Sequence, residues 1–191
     1  MMELNFGIIF LIISSVWVIS EIMLIVFRRS KNNRRDYDKG SIIWLNSIIY
    51  ISIAFAVSLG LLGIGKIHTA LSTISWVGLC FIIIGLIIRW AAILTLRKFF
   101  TTNVVIQSDH QIIKTGLYKF IRHPSYSGSI ISFCGLGLVF SNWISLVVLV
   151  IPITIAFLKR IQIEEQALQS AFGEEYVNYC KISWKLIPWI Y

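Results

Sequence analysis

The sequence predicts an all-α, polytopic integral membrane protein of about five transmembrane helices that ends in a helical hairpin. Three observations carry this. Of 191 residues, 57% are hydrophobic and only 14% charged. The mean hydropathy of +0.81 lies far from that of a water-soluble domain. The apolar residues also come in runs of membrane-spanning length, separated by short basic segments.

The first run, residues 4–27, exceeds the roughly 20 helical residues that a bilayer core of about 30 Å requires. No basic segment precedes it and no small-residue cleavage site follows it, so it reads as a signal-anchor. Arg28, Arg29, Lys31, Arg34, Arg35 and Lys39 come immediately after it. Residues 42–62 form a second span and residues 74–96 a third, and the loop between them holds only Lys66 and His68 as basic groups. Residues 97–123 are too polar to cross. Apolar character returns over 124–140, breaks at Ser141-Asn142 and resumes over 143–158, which predicts a tight helical hairpin. The whole chain, 1–191, reads as one membrane domain, with three N-terminal helices (1–96) followed by the polar segment and hairpin (97–191).

The net charge of +8 does not indicate nucleic acid, because the cations sit in loops between apolar runs. Fifteen of the 17 Lys and Arg residues fall on the segments 28–39, 97–122 and 159–191, leaving Lys66 and the intramembrane Arg89. By the positive-inside rule this asymmetry predicts a multi-pass protein of the cell membrane with its N-terminus outside and its C-terminus in the cytoplasm. Cys80, Cys134 and Cys180 are too scattered for a metal site or a disulfide framework. No glycine-rich nucleotide fingerprint occurs, so any cofactor has to be held by the helices and their loops.

Two polar clusters fall on the cytoplasmic side. The first runs from Lys114 to Gly128 and contains Tyr118, Arg122, His123, Pro124, Ser125 and Tyr126. Pro124 suits the first turn of a helix, and the N–H groups after it, with the hydroxyls of Ser125 and Tyr126, form an end that can bind an anionic or hydrogen-bonding ligand. Interfacial anchoring by Arg122, His123 and the tyrosines is an equally open reading from composition. The second cluster follows the last apolar run, where Arg160 and Glu164 are four residues apart and share a helix face. Either they form a solvated ion pair at a helix end, or they serve a ligand, the Glu facing a cation and the Arg a carboxylate. Inside the spans, Glu21 and Arg89 need partners or water. Snorkelling of Arg89 is the expected solution, with a Glu21–Arg89 pair as the alternative. Gly128, Gly135 and Gly137 leave room for close helix packing.

The run Gly116-x-Tyr118-x-x-x-Arg122-His123-Pro124-x-Tyr126-x-Gly128, the pair Glu164-Glu165 and the sequel Phe172-Gly173-Glu174-Glu175-Tyr176-x-x-Tyr179 together resemble the isoprenylcysteine carboxyl methyltransferases, within a wider group that includes phospholipid N-methyltransferases. The likeness covers mainly residues 97–187 and suggests a prokaryotic-type member. It implies S-adenosylmethionine as cofactor, entering a cytoplasmic pocket, and a membrane lipid or isoprenoid-like substrate entering sideways from the bilayer. By alignment it implies cofactor contacts at His110, Gln111, Ile112, Ile113, Tyr118, His123, Pro124, Ser125, Tyr126 and Glu164. Gln107 is a further possibility in a poorly aligned stretch. Arg160 aligns with the family's substrate-contacting arginine, which makes it the expected catalytic residue. Carboxyl O-methylation is the implied reaction. N- or S-methylation of phospholipid amines or small thiols is the alternative enzyme, and a non-catalytic scaffold or small transporter the alternative of another class.

Overall fold

The computed structural model describes residues 2–27, 40–67, 71–101 and 109–189, the side chains of 2–4 and 71–72 excepted. The basic loop 28–39, His68 and Gln107 lie outside the described residues. Among the described residues six α-helices follow in order: α1 (Met2–Phe27), α2 (Ser41–Leu62), α3 (Leu71–Leu96), α4 (Pro124–Val139), α5 (Trp143–Phe172) and α6 (Glu174–Ile182). Short 3-10 turns occupy Arg97–Phe99 and Gly116–Lys119. No strand occurs among the described residues. Helices are the economical answer in lipid, since each satisfies its backbone N–H and C=O groups within itself.

Helices α1, α2, α3 and α5 are long and apolar enough to cross a membrane. At 16 residues α4 is shorter than a full crossing. It lies against α3 and α5, with Ser125, Ser127, Ser129 and Ser132 buried. The expected break at Ser141-Asn142 is present, with Ser141 in the left-handed region at φ 47°. The last long helix corrects the sequence reading in length. It does not stop near 158 but runs 30 residues to Phe172, about 45 Å at 1.5 Å per residue, so the Arg160 to Glu165 cluster lies within a continuous helix.

Glycine sets how closely α3 and α4 approach. A Cβ at Gly128 would stand 2.6 Å from the Gly85 carbonyl oxygen, and one at Gly135 about 2.5 Å from that of Gly78. Each helix therefore carries two glycines seven residues apart, paired in antiparallel sense across the contact. Packing is their role, and without a hydrophobic drive between helices in lipid such close approach is what holds the pair together. By contrast α1 turns Leu11, Val16, Val18 and Val26 outward, each more than half exposed. Lipid is the solvent that suits that face.

Candidate active site

A cavity of about 470 Å³ opens at the loop end of the bundle, within the range of small-molecule sites. The polar segment after α3, the first turn of α4, the last half of α5 and α6 line one end. Mostly apolar side chains of α1, α2, α4 and α5, among them Trp17, Ile49, Ile53, Phe133 and Phe157, line the rest, interrupted by Ser14, Asn46, Tyr50 and the charged Glu21 and Arg89. The space is thus polar at one end and mainly apolar along its length.

The structure brings His110, Gln111, Ile112, Ile113, Tyr118, His123, Ser125, Tyr126, Glu164 and Arg160 to this cavity. Pro124 is the exception among the candidates. It occupies the first turn of α4, as its fixed φ and missing N–H favour, and its side chain is fully buried rather than part of the wall.

His123 sits between two carboxylates. Its Nε2 lies 3.3 Å from Glu165 Oε1 and its Nδ1 3.7 Å from Glu164 Oε2. Arg122 donates from Nε to Glu165 at 3.1 Å, and its Nη1 donates to the carbonyls of Cys180 (3.1 Å) and Ser183. The Tyr126 ring packs against Phe157 with centroids 5.1 Å apart, and its hydroxyl is within reach of both Arg160 and Glu164. Tyr179 donates to the carbonyl of Tyr118 at 2.6 Å. Burial pushes the Tyr179 hydroxyl up to about 12 and raises those of Tyr118 and Tyr176 further, so all three stay neutral hydrogen-bonding groups.

His110 stacks between aromatic neighbours, its centroid 5.0 Å from that of Phe99 and 5.7 Å from that of Phe172. Burial depresses its pKa below the ordinary imidazole value. The neighbouring Asp109 is held low by its hydrogen bond from Lys98. Among the described residues, three buried atoms around the cavity have no hydrogen-bond partner: His110 Nδ1, Glu164 Oε2 and the Tyr176 hydroxyl. Such groups are costly in a finished core and useful in a site that takes a polar ligand.

Two sequence expectations change. Arg160 is no solvated helix end; it is 4% exposed and donates to the Ser41 hydroxyl of α2. Arg89 does not snorkel. It grips Glu21 bidentately at 2.6 and 2.7 Å and reaches the hydroxyls of Ser129 (2.8 Å) and Ser125 (3.2 Å). Ser125, in the cavity wall, therefore also serves the Arg89 cluster. Glu165, Tyr176 and Tyr179 were legible in the motif but not singled out; helical phase alone does not reveal that Glu165 gathers several partners. The α1 and α2 wall carries no motif at all.

The isoprenylcysteine carboxyl methyltransferase family model matches residues 76–170, about half of the chain. A probable protein-S-isoprenylcysteine O-methyltransferase of Oryza sativa subsp. indica is 36% identical over 119 residues, covering 61% of this chain and 62% of that protein. Protein-S-isoprenylcysteine O-methyltransferase B of Arabidopsis thaliana is 37% identical over 110 residues, covering 56% of each. The chain thus spans less than two thirds of the length of these relatives. The solved structure of a eukaryotic intramembrane Ras methyltransferase, ICMT, superposes with a TM-score of 0.66 at 26% identity, over 93% of this chain and 64% of that one. These relatives are eukaryotic, and the expectation of a prokaryotic-type member is not borne out. Motif, fold and cavity-forming segment agree, and the chain belongs to the isoprenylcysteine carboxyl methyltransferase family.

Proposed function

We propose that this protein uses S-adenosylmethionine to methylate the carboxylate of an isoprenoid-like or lipid-like substrate held in the bilayer. The observation that carries the reading is the shape of the cavity, a polar end with unpartnered buried atoms that continues into a mainly apolar channel between helices. The names of the relatives, protein-S-isoprenylcysteine O-methyltransferases, support the same chemistry.

The residues present fit the cofactor. Glu164 offers a carboxylate oxygen without a partner to an ammonium or sulfonium, and His110 offers a buried ring nitrogen between two aromatic rings. His110, Gln111, Ile112, Ile113, Tyr118, His123, Ser125, Tyr126 and Glu164 would hold it, with Pro124 shaping the turn. S-adenosylmethionine, when bound, supplies an electrophilic methyl group on a positively charged sulfur.

Arg160 is the substrate-binding and catalytic residue in this reading. Its guanidinium, buried and steadied by Ser41, aligns a carboxylate, which near neutral pH is already ionised, so no general base is needed. The task of the protein is then orientation and exclusion of water. The apolar wall from α1 and α2 takes the hydrophobic tail, and residues 97–191 supply the polar end, within one functional domain. The charge bias of the basic segments supports a cell-membrane protein with its polar end in the cytoplasm, where the water-soluble cofactor is found.

The test is calorimetric titration of detergent-purified protein with S-adenosylmethionine and S-adenosylhomocysteine. Saturable binding to the wild type, weakened about tenfold or more by Glu164→Ala and by His123→Ala, is expected from the loss of charge-assisted contacts. Absence of binding to folded wild-type protein overturns the reading and favours a scaffold or transporter.

A further inference from the structure

Glu165 does not line the cavity, yet two residues that do line it are tied to its carboxylate. Arg122 Nε lies 3.1 Å and His123 Nε2 3.3 Å from Oε1, while Lys185 Nζ lies 3.0 Å from Oε2. All four side chains are less than one fifth exposed. Lys185 belongs to the segment after α6, and this segment is laid along the strip that precedes α4. Arg122 N donates to Trp184 O at 2.7 Å, His123 N to Lys185 O at 3.2 Å and Trp184 N to Phe120 O at 2.8 Å. The Ser127 hydroxyl adds a bond to Leu186 O at 2.6 Å. The C-terminal segment is thus a strap along the strip that carries the cavity-lining Arg122 and His123, and Glu165 fastens it from α5.

The same carboxylate controls the His123 ring. The other polar neighbour of that ring, Glu164 Oε2, is 3.7 Å from Nδ1, beyond hydrogen-bond length. A ring held at Nε2 by Glu165 keeps Nδ1 turned toward Glu164, the carboxylate whose oxygen is otherwise unpartnered. We propose that Glu165 is a positioning residue that couples the C-terminal strap to the cofactor end of the cavity, orienting His123 and through it Glu164. The inference rests on the reading that His123 and Glu164 hold the cofactor. Its mechanism is that of an outer partner which fixes the geometry of an inner ligand.

Two measurements on the full chain in detergent separate the inference from that reading. The first, without ligand, is hydrogen–deuterium exchange in wild type, Glu165→Gln, Glu165→Asp and Lys185→Met. The second is calorimetric affinity for S-adenosylhomocysteine in the same set. Glu165→Gln is expected to speed exchange over 120–127 and 183–187 while leaving α2 and α3 unchanged. It should also weaken binding by about tenfold, the size typical of lost outer-shell support. Glu165→Asp should restore most of both. Wild-type affinity in Glu165→Gln overturns the positioning role, and wild-type exchange in that variant overturns the strap. If Glu165→Gln does not fold, Lys185→Met decides: unchanged exchange at 183–187 or unchanged affinity overturns the proposal. A wild type that binds no ligand while Glu165→Gln still loosens the strap sinks the methyltransferase reading and the positioning role, and leaves the strap standing.

Discussion

The two ends of the α4–α5 hairpin treat their polar groups in opposite ways. At the turn, Asn142 is 1% exposed. Its Oδ1 accepts from Ile144 N and Ser145 N, both at 3.0 Å, and its Nδ2 donates to Ile64 O at 2.6 Å. Ile67 N donates to Ser141 O and Trp143 N to Gly65 O, which ties the α2–α3 loop to the turn. At the other end, Glu164, His110 and Tyr176 each keep a buried polar atom without a partner among the described residues, beside a cavity. A closed end stabilises the fold, whereas unpartnered buried groups give up stability, the cost that a ligand site ordinarily carries.

Breaking the closed end should have the larger effect on stability. Asn142→Ala removes a helix cap and the bond to Ile64, and is expected to lower unfolding stability by about 2 kcal/mol. Its affinity for S-adenosylhomocysteine should stay at the wild-type value in the folded fraction, as read by denaturation and calorimetry side by side. Tyr176→Phe probes the open end with the opposite sign. Deleting a buried hydroxyl that lacks a partner should raise unliganded stability by about 1 kcal/mol and weaken ligand binding. A loss of stability in this variant would mean that the hydroxyl is satisfied after all.

The smallest effect is on pH dependence. His110 has a folded pKa below its ordinary value near 6.5, because burial disfavours the imidazolium. Between the two values the unfolded chain binds the extra proton, so this residue makes stability rise with pH across that window. Below the folded value its contribution stops changing. His110→Phe should flatten that part of the pH–stability curve, whereas a slope unchanged in the variant would assign it to other groups.

Much of this arrangement was legible in the residues. The apolar runs were long enough to announce the spans, and Ser141-Asn142 marked the hairpin turn, because lipid admits few backbone solutions. The motif from Gly116 to Gly128 brought nearly all of the cavity's polar residues into view. What was not legible depends on contacts between distant segments. Arg89 could not be assigned to Glu21, 68 residues away, from a sequence that equally allows snorkelling. Arg160 looked like a solvated helix end because nothing local shows that α2 covers it with Ser41. Glu165 resembles any second glutamate until Lys185 is folded back beside it.

The Glu21–Arg89 pair also bears on how the chain enters its membrane. A glutamate or an arginine housed alone in a lipid-facing helix is costly on insertion scales, even about two turns from the helix end as Glu21 and Arg89 are. Helix α1 carries one and α3 the other, with α2 between them in the order of synthesis. Neither charge is compensated until both helices have been delivered, and the bidentate bridge then removes much of the penalty from both. Stable release of α1 into lipid is therefore expected to depend on the arrival of α3.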